Sequence, residues 1–467
     1  MPFDVNEVLI PRSIPGPRSA ELLDRQGERE SNARSYPRKL TFAVERGEGS
    51  YLVDVDGNVY VDFLTGAGVL PLGHSHPELV SVAARQLTQF VHGLDMPTDI
   101  KDEFTRAQLD MLPEPMRSNS KIHFCGPTGA NTVDAAVKLA KTFTGRSEII
   151  SFRGGFHGTT HLGMSVSGLL EQRQPVGNTM PGVHFAPYSY CSRCPVGLTR
   201  DICSVNCATS TETLLTDENG GVLAPAAILL ELVQGEGGVI PAQREFVERV
   251  VAAARNVGAL VIVDEVQTGC GRTGTWFAFE QYGIEPDIIC ASKALSGIGT
   301  PMGIILYRKD IDVWAPGAHT GTFRGNQLGF ATGVQTLRIF QRDGILDNVV
   351  ARGEQVRQIL TSGLEDVPQV REVRGLGLMW GIELHDPATG LAASALAKSV
   401  QQTALHNGLI VELGGRGDNV VRIMPPLNAT PELIAAACGL LASVVRNCAE
   451  QYGDAHRSDV LLVGADA

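Results

Sequence analysis

Positive charge is in short supply in this chain. Lys and Arg number 39 against 51 Asp and Glu, a net charge of −12 over 467 residues. A total this acidic repels phosphate backbones and anionic lipid unless a local basic patch reverses it, and no such patch occurs, so neither nucleic acid nor a membrane is an expected partner. No run approaches the roughly 20 apolar residues of a spanning helix. The first thirty residues mix charges with Pro2, Pro11, Pro15 and Pro17 and offer no apolar segment of signal-peptide type. The cytoplasm is therefore the expected compartment. Aromatic residues are only 6% of the chain, and internal repeats and low-complexity tracts are missing.

What is present fits a globular protein. The hydrophobic fraction is 43%, the charged fraction 19%, and 52 glycines point to tight packing and many turns. The length exceeds one ordinary core, so two or more associated domains are expected. Of nine cysteines, Cys125, Cys270, Cys290 and Cys438 sit in apolar or Gly-rich stretches and read as buried free thiols.

Residues 49–62 alternate apolar and polar side chains around Asp56-Gly57-Asn58, which predicts a β-hairpin. From about 75 to 320, helical periodicity alternates with short apolar runs at 149–152, 226–230, 260–263, 288–290 and 302–307. That alternation predicts an α/β domain with a mostly parallel, doubly wound sheet. Helical stretches at 334–342 and 348–360 then lead to an α+β segment with strands expected at 377–384, 409–412 and 420–424. The expected division is an N-terminal segment (1–75) that joins a C-terminal small domain (331–453), a large domain (76–330), and a flexible tail (454–467).

Three features carry chemistry. The run 260–263 ends abruptly in Asp264 and Glu265, and ligands of open α/β sheets bind beyond such carboxyl ends. The run 288–290 ends in Ser292-Lys293 among small residues, where a desolvated amine suited to Schiff-base chemistry can be placed. Gly126-Pro127-Thr128-Gly129-Ala130-Asn131 is a Gly-rich turn running into a helix, whose free N–H groups suit a phosphate. Each has a bland reading: a helix cap for Asp264, a surface cation for Lys293, and a turn with an Asn cap for 126–131. Together they supply an amine, a carboxylate and an anion cradle, the needs of pyridoxal phosphate.

The strings Gly73-His74-Ser75-His76-Pro77, Phe156-His157-Gly158, Glu231-Leu232-Val233-Gln234-Gly235-Glu236, Asp264-Glu265-Val266-Gln267-Thr268-Gly269, Ser292-Lys293 and Thr322-Phe323-Arg324-Gly325-Asn326 resemble those of class III (ω-) aminotransferases, in the family's order from about 40 to 445. The resemblance implies fold type I of the pyridoxal-phosphate (PLP) enzymes, with a seven-stranded, mostly parallel sheet between helices and a smaller α+β domain from both chain ends. It implies Lys293 as the amine that holds the cofactor and shuttles the proton, and Asp264 as partner of the ring nitrogen. Thr128, Gly129 and Ala130 would bind the phosphate, Phe156 would stack on one ring face and Val266 on the other, Gln267 would lie near the ring hydroxyl, and His157 is among the cofactor contacts. Thr322 would reach the phosphate of a neighbouring subunit, so a homodimer with shared sites is implied. Asn131 stands where most members carry Glu.

The same resemblance gives Glu236 and Arg422 as a substrate-binding pair that changes its charge between an ω-amine donor and glutamate. Finer likeness at 92–96, 101–104, 126–131, 269–274 and 312–326 points to the diaminobutyrate:2-oxoglutarate aminotransferases, with L-2,4-diaminobutyrate as donor and 2-oxoglutarate as acceptor. Ornithine, 4-aminobutyrate or another ω-amine stays open as donor, as does a racemase or aminomutase on the same scaffold. Finally, Cys191-x2-Cys194-x8-Cys203-x3-Cys207 lies in the polar stretch 188–210. Its spacing suits a structural zinc that would order a long loop, with free or paired thiols as the other reading and a zinc-module binding protein as the alternative of a different class.

Overall fold

The computed structural model of the chain describes residues 3–177 and 179–463, with side chains described as far as Gly453. Packing divides it into two units, one of Met1–Ala67, Leu72–His76 and Val350–Ala467, the other of Gly68–Pro71 and Pro77–Val349.

In the second unit seven strands form one sheet: β1 (Ser120–Gly126), β2 (Ile149–Phe152), β3 (Val183–Ala186), β4 (Ala227–Leu230), β5 (Leu260–Asp264), β6 (Ile288–Ala291) and β7 (Gly303–Arg308). Their order is β1-β7-β6-β5-β4-β2-β3. Strands β3, β2, β4, β5 and β6 pair in parallel, while β7 runs antiparallel to both β6 and β1. Four strands, β2, β4, β5 and β6, are buried at every residue. This explains why they read as unbroken apolar runs rather than alternating ones. The two strands without such a run, β1 and β3, are the sheet's edges, where half-exposed positions admit Lys121, His123 and His184.

Alternate residues of the central strands feed two cores. Val261 and Val263 pack with Phe152 and Phe246 on one face, while Leu260 and Ile262 meet Val133, Ala136, Val137 and Ala140 on the other. Those last four lie on the helix Gly129–Thr144, whose small residues bring its axis close to the sheet and whose end is capped by Gly145 at φ 69°.

The first unit holds two four-stranded sheets. In one, Val44–Glu48, Tyr51–Asp54 and Val59–Asp62 are joined by Leu409–Ile410 from far along the chain, Leu409 pairing with Val61. The hairpin turn is held by the Asp54 carboxylate, which accepts bonds from the N–H groups of Asp56 (2.9 Å) and Asn58 (2.8 Å). The other sheet comprises Val370–Leu376, Met379–Leu384, Val420–Ile423 and Glu412–Gly414.

One expectation is corrected by the last helix, Pro431–Val463. Its segment Pro431–Gly453 is long and apolar enough by length and composition to cross a membrane, contrary to the reading that no such run exists. Leu433, Ile434, Cys438, Leu441 and Val445 on it are all buried within the protein, as core residues are. The backbone of this helix also runs on to Val463 through much of the expected flexible tail, of which 464–467 lie outside the described residues.

Candidate active site

Strands β1, β2, β4, β5 and β6 deliver their carboxyl ends to a cavity of about 380 Å³ within the second unit. Asp264 ends β5, Lys293 follows β6 by two residues, Glu231 follows β4 directly, Phe156 and His157 stand on the loop after β2, and Thr128 and Gly129 follow β1. All of these line the cavity, as do Ala130, Glu236, Val266 and Gln267. Ten of the eleven sequence-expected cofactor and substrate residues of this unit are thus gathered in one place. The eleventh, Thr322, is exposed and does not line it.

Asp264 is the buried centre. Its Oδ2 lies 2.7 Å from His157 Nδ1, and its Oδ1 accepts from the Val266 N–H at 3.0 Å. Burial alone would lower the His157 pKa, but the bond to Asp264 and its charge, with Glu231 adding to it, outweigh burial and raise it. The His157 backbone is held by Ser167 Oγ, which accepts from its main-chain N–H at 2.9 Å. The arrangement places a buried carboxylate against an imidazole whose protonated form it favours, with the other oxygen held by the loop after β5.

Lys293 is half-buried and has a φ of 42°, a left-handed conformation that costs a non-glycine residue energy. It is held there by the turn Lys293–Ser296 and by Ser292 Oγ, which donates to the Met302 carbonyl at 2.7 Å.

At the phosphate turn, Thr128 caps the helix Gly129–Thr144. Asn131 Oδ1 accepts from the Thr128 N–H (3.2 Å) and hydroxyl (2.9 Å), so Asn131 bonds to the turn from within the first helical turn. The Gly129 and Ala130 N–H groups, first in the helix, have no acceptor inside it and face a cavity that they line. Space there is fixed by glycine. A Cβ on Gly129 would meet Val266 Cγ1 at 2.7 Å, and one on Gly158, at φ 104°, would meet Ala130 Cβ at 2.5 Å. An anion cradle, a buried carboxylate and an amine on one cavity wall fit PLP. Gly158→Ala is expected to cost about 1–3 kcal/mol of stability and to weaken retention of PLP, read as a lower thermal midpoint and a lower cofactor content after gel filtration.

Glu236 Oε1 accepts from Gln267 Nε2 at 3.3 Å. Arg422 is on strand Val420–Ile423 of the first unit, fully buried, with its guanidinium 3.7 Å from Glu412.

Two buried carboxyls beside Asp264 were assigned no role by sequence. Burial pushes Glu231 up to about 7, with His157 lowering and Asp264 raising its pKa. Burial likewise pushes Glu265 up to about 7, against bonds from Thr268 and the Phe279 N–H. An unfolded Glu ionises near ~4.3. Between there and 7 the native protein keeps protons that the unfolded chain has released, so each group makes stability fall as pH rises, by up to about 1.4 kcal/mol per pH unit. The thermal midpoint of Glu265→Gln is accordingly expected to fall less between pH 5 and 7 than that of the unaltered protein.

The zinc expectation is not supported. Among the described residues no three His, Cys, Asp or Glu side chains are placed to hold a metal ion together. Cys191 is exposed with Arg200 Nη1 at 3.4 Å, whereas Cys207 is buried on the helix Asn206–Thr216, where burial pushes its thiol up to about 11. Protein contacts order the loop: Arg249 bonds Glu212 (2.8 Å) and the Ser204 carbonyl (3.0 Å), and Tyr188, Tyr190 and Val205 are buried.

The family described as Aminotransferase class-III matches residues 32–445. The diaminobutyrate–2-oxoglutarate aminotransferase of Rhizobium meliloti (strain 1021) is 43% identical over 435 residues, covering 91% of this chain and 92% of the relative. One of the same name from Haemophilus influenzae is 43% identical over 416 residues, covering 87% and 91%. Among solved structures, the ornithine aminotransferase of Toxoplasma gondii, described with PLP at its active site, superposes with a TM-score of 0.80 at 25% identity, covering 93% of this chain and 95% of the other. An (S)-enantioselective omega-transaminase of Thermomicrobium roseum gives 0.83 at 26%, covering 92% and 98%. The seven-stranded sheet, the cavity at its carboxyl ends and these likenesses agree: the chain belongs to the class III aminotransferases, enzymes of PLP fold type I.

Proposed function

We propose that the protein moves the terminal amino group of a diamino acid, L-2,4-diaminobutyrate before others, to 2-oxoglutarate, yielding glutamate and a semialdehyde. The observation that carries the reading is the meeting of Lys293, the Asp264–His157 pair and the Thr128–Ala130 turn in one cavity. The donor is supported by the names of relatives 43% identical over most of the chain.

When bound, PLP supplies a ring that accepts electrons from the carbon carrying the donor's nitrogen. The chain's own residues do the rest. Lys293 Nζ would hold the cofactor and, as a free amine, would serve as the base that moves the proton at the donor's nitrogen-bearing carbon. Asp264, bonded to His157, would face the ring nitrogen. Gly129 and Ala130 N–H groups would hold the phosphate, joined by the Thr128 hydroxyl if it turns from Asn131, and Phe156 and Val266 would bracket the ring. Glu236, oriented by Gln267, meets the charged end of the donor. Two copies would complete each other's sites through Thr322, a role supported by its exposure beside Phe323, which is itself exposed; light scattering should find a particle of two chains.

Ornithine is one methylene longer than diaminobutyrate, a difference that an enclosed pocket discriminates by about 10–200-fold. A coupled glutamate assay with 2-oxoglutarate is therefore expected to rank diaminobutyrate at least about tenfold above ornithine and 4-aminobutyrate in kcat/KM. Glutamate formation with none of these amines would overturn the reading.

A further inference from the structure

We propose that Glu231 is a positioning residue whose single carboxylate ties the loop carrying Phe156 to the loop carrying Glu236, and so sets the width of the cavity between the aromatic wall and the substrate-facing acid. What occupies the cavity rests on the transaminase reading above.

The geometry is specific. Glu231 Oε1 accepts from the Phe156 N–H at 2.8 Å and Oε2 from the Gly235 N–H at 2.9 Å. Phe156 belongs to the loop after β2, and Gly235 is the residue before Glu236 on the loop after Val233–Gln234. The side chain bridging them is 7% exposed. Its backbone is held independently, because Tyr188 OH donates to the Glu231 carbonyl at 2.9 Å.

The two loops are also pressed together. A Cβ on Gly237 would lie 2.4 Å from the Gly154 carbonyl oxygen, and Gln234 Nε2 donates to the Arg153 carbonyl at 3.1 Å. Glu231 is thus the acid of a seam that joins both walls, ionised on the alkaline side of about pH 7. His157 and Asp264 are the titratable groups whose charges act on it.

A carboxylate is required for this task. Above about pH 7, where the group is ionised, both of its oxygens accept, and bonds to a charged acceptor are about twice as strong as neutral ones. An amide of the same shape would turn one acceptor into a donor facing an N–H and release one loop. Asp keeps the charge but is a methylene too short to span both partners. A buried acid with a merely structural role would lower the thermal midpoint when replaced and leave the function of each folded site unchanged.

The test uses the holoenzyme, unaltered and as E231Q and E231D, buffered about one unit above the Glu231 pKa, with three readouts: PLP content, visible circular dichroism per bound PLP, and kcat and KM for the amine donor. A displacement of a positioning loop by about 1 Å costs on the order of 100-fold, so kcat/KM per bound PLP is expected to fall about 10–100-fold in both variants. The dichroism per bound PLP should change with it, because Phe156 moves against the ring. Dichroism and kcat/KM per bound PLP within about twofold of the unaltered enzyme in both variants would overturn the proposal. If E231Q does not fold, E231D alone decides by the same readouts. Should the unaltered enzyme bind PLP yet turn over no amine, the transaminase reading fails, and the dichroism still decides the role of Glu231.

Discussion

Lys293→Ala is expected to abolish transamination, with glutamate formation falling by at least about 10³-fold, because one amine both holds the cofactor and moves the proton. The fold should survive. The Lys293 side chain is half-buried on the cavity wall, and its neighbours Ala294, Leu295 and Ser296 remain packed. Alanine cannot relieve the positive φ of 42°, so no gain in stability offsets the loss. The visible absorbance that PLP acquires on joining a lysine amine should disappear, while the phosphate turn can still retain the cofactor loosely. Glutamate formation above a hundredth of the unaltered rate, with that absorbance intact, would mean that another amine does the work.

Much of this site was legible in the sequence because buried parallel strands advertise themselves. The runs ending at Asp264 and Lys293 stand out as unbroken apolar residues bounded by charge, and both become strands buried at every position. The edge strands β1 and β3 were not legible as strands, since half-exposed edges carry Lys121, His123 and His184. Glu231 was visible in a motif but had no assigned task, although it directly follows β4 much as Asp264 ends β5. Its partners, the N–H groups of Phe156 and Gly235, are set by folding and lie 75 and 4 residues away. The bonds of Asn131 were hidden for a similar reason: whether a side chain three residues into a helix turns back onto the cap depends on φ and ψ at Thr128. The cysteine spacing suited zinc as well as free thiols, and it carries no information about burial: helix Asn206–Thr216 buries Cys207 while Cys191 is exposed.

Asp264→Asn should produce the second large loss. The substitution separates two roles that Asp264 fills at once. Asn Oδ1 can still accept from the Val266 N–H, so the local turn is kept; what disappears is the negative charge. Breaking a buried ion pair by removing one partner costs about 3–5 kcal/mol, because the other charge stays buried. Here that partner is His157. Burial already drives its pKa down, and without the Asp264 carboxylate only the weaker influence of Glu231 opposes burial, so the imidazole gives up its proton and part of the penalty is avoided. Stability should therefore fall by less than that full cost, whereas kcat falls by about 10²–10³-fold, as a charged partner for the ring has gone. His157→Gln should reduce kcat by a smaller factor, about tenfold, since it removes only the support behind Asp264. The double variant should be little worse than Asp264→Asn alone, because residues acting as one unit do not add. If Asp264→Asn instead keeps full turnover and loses only stability, Asp264 serves as the cap of the turn after β5, and the charge needed by the ring comes from elsewhere in the cavity.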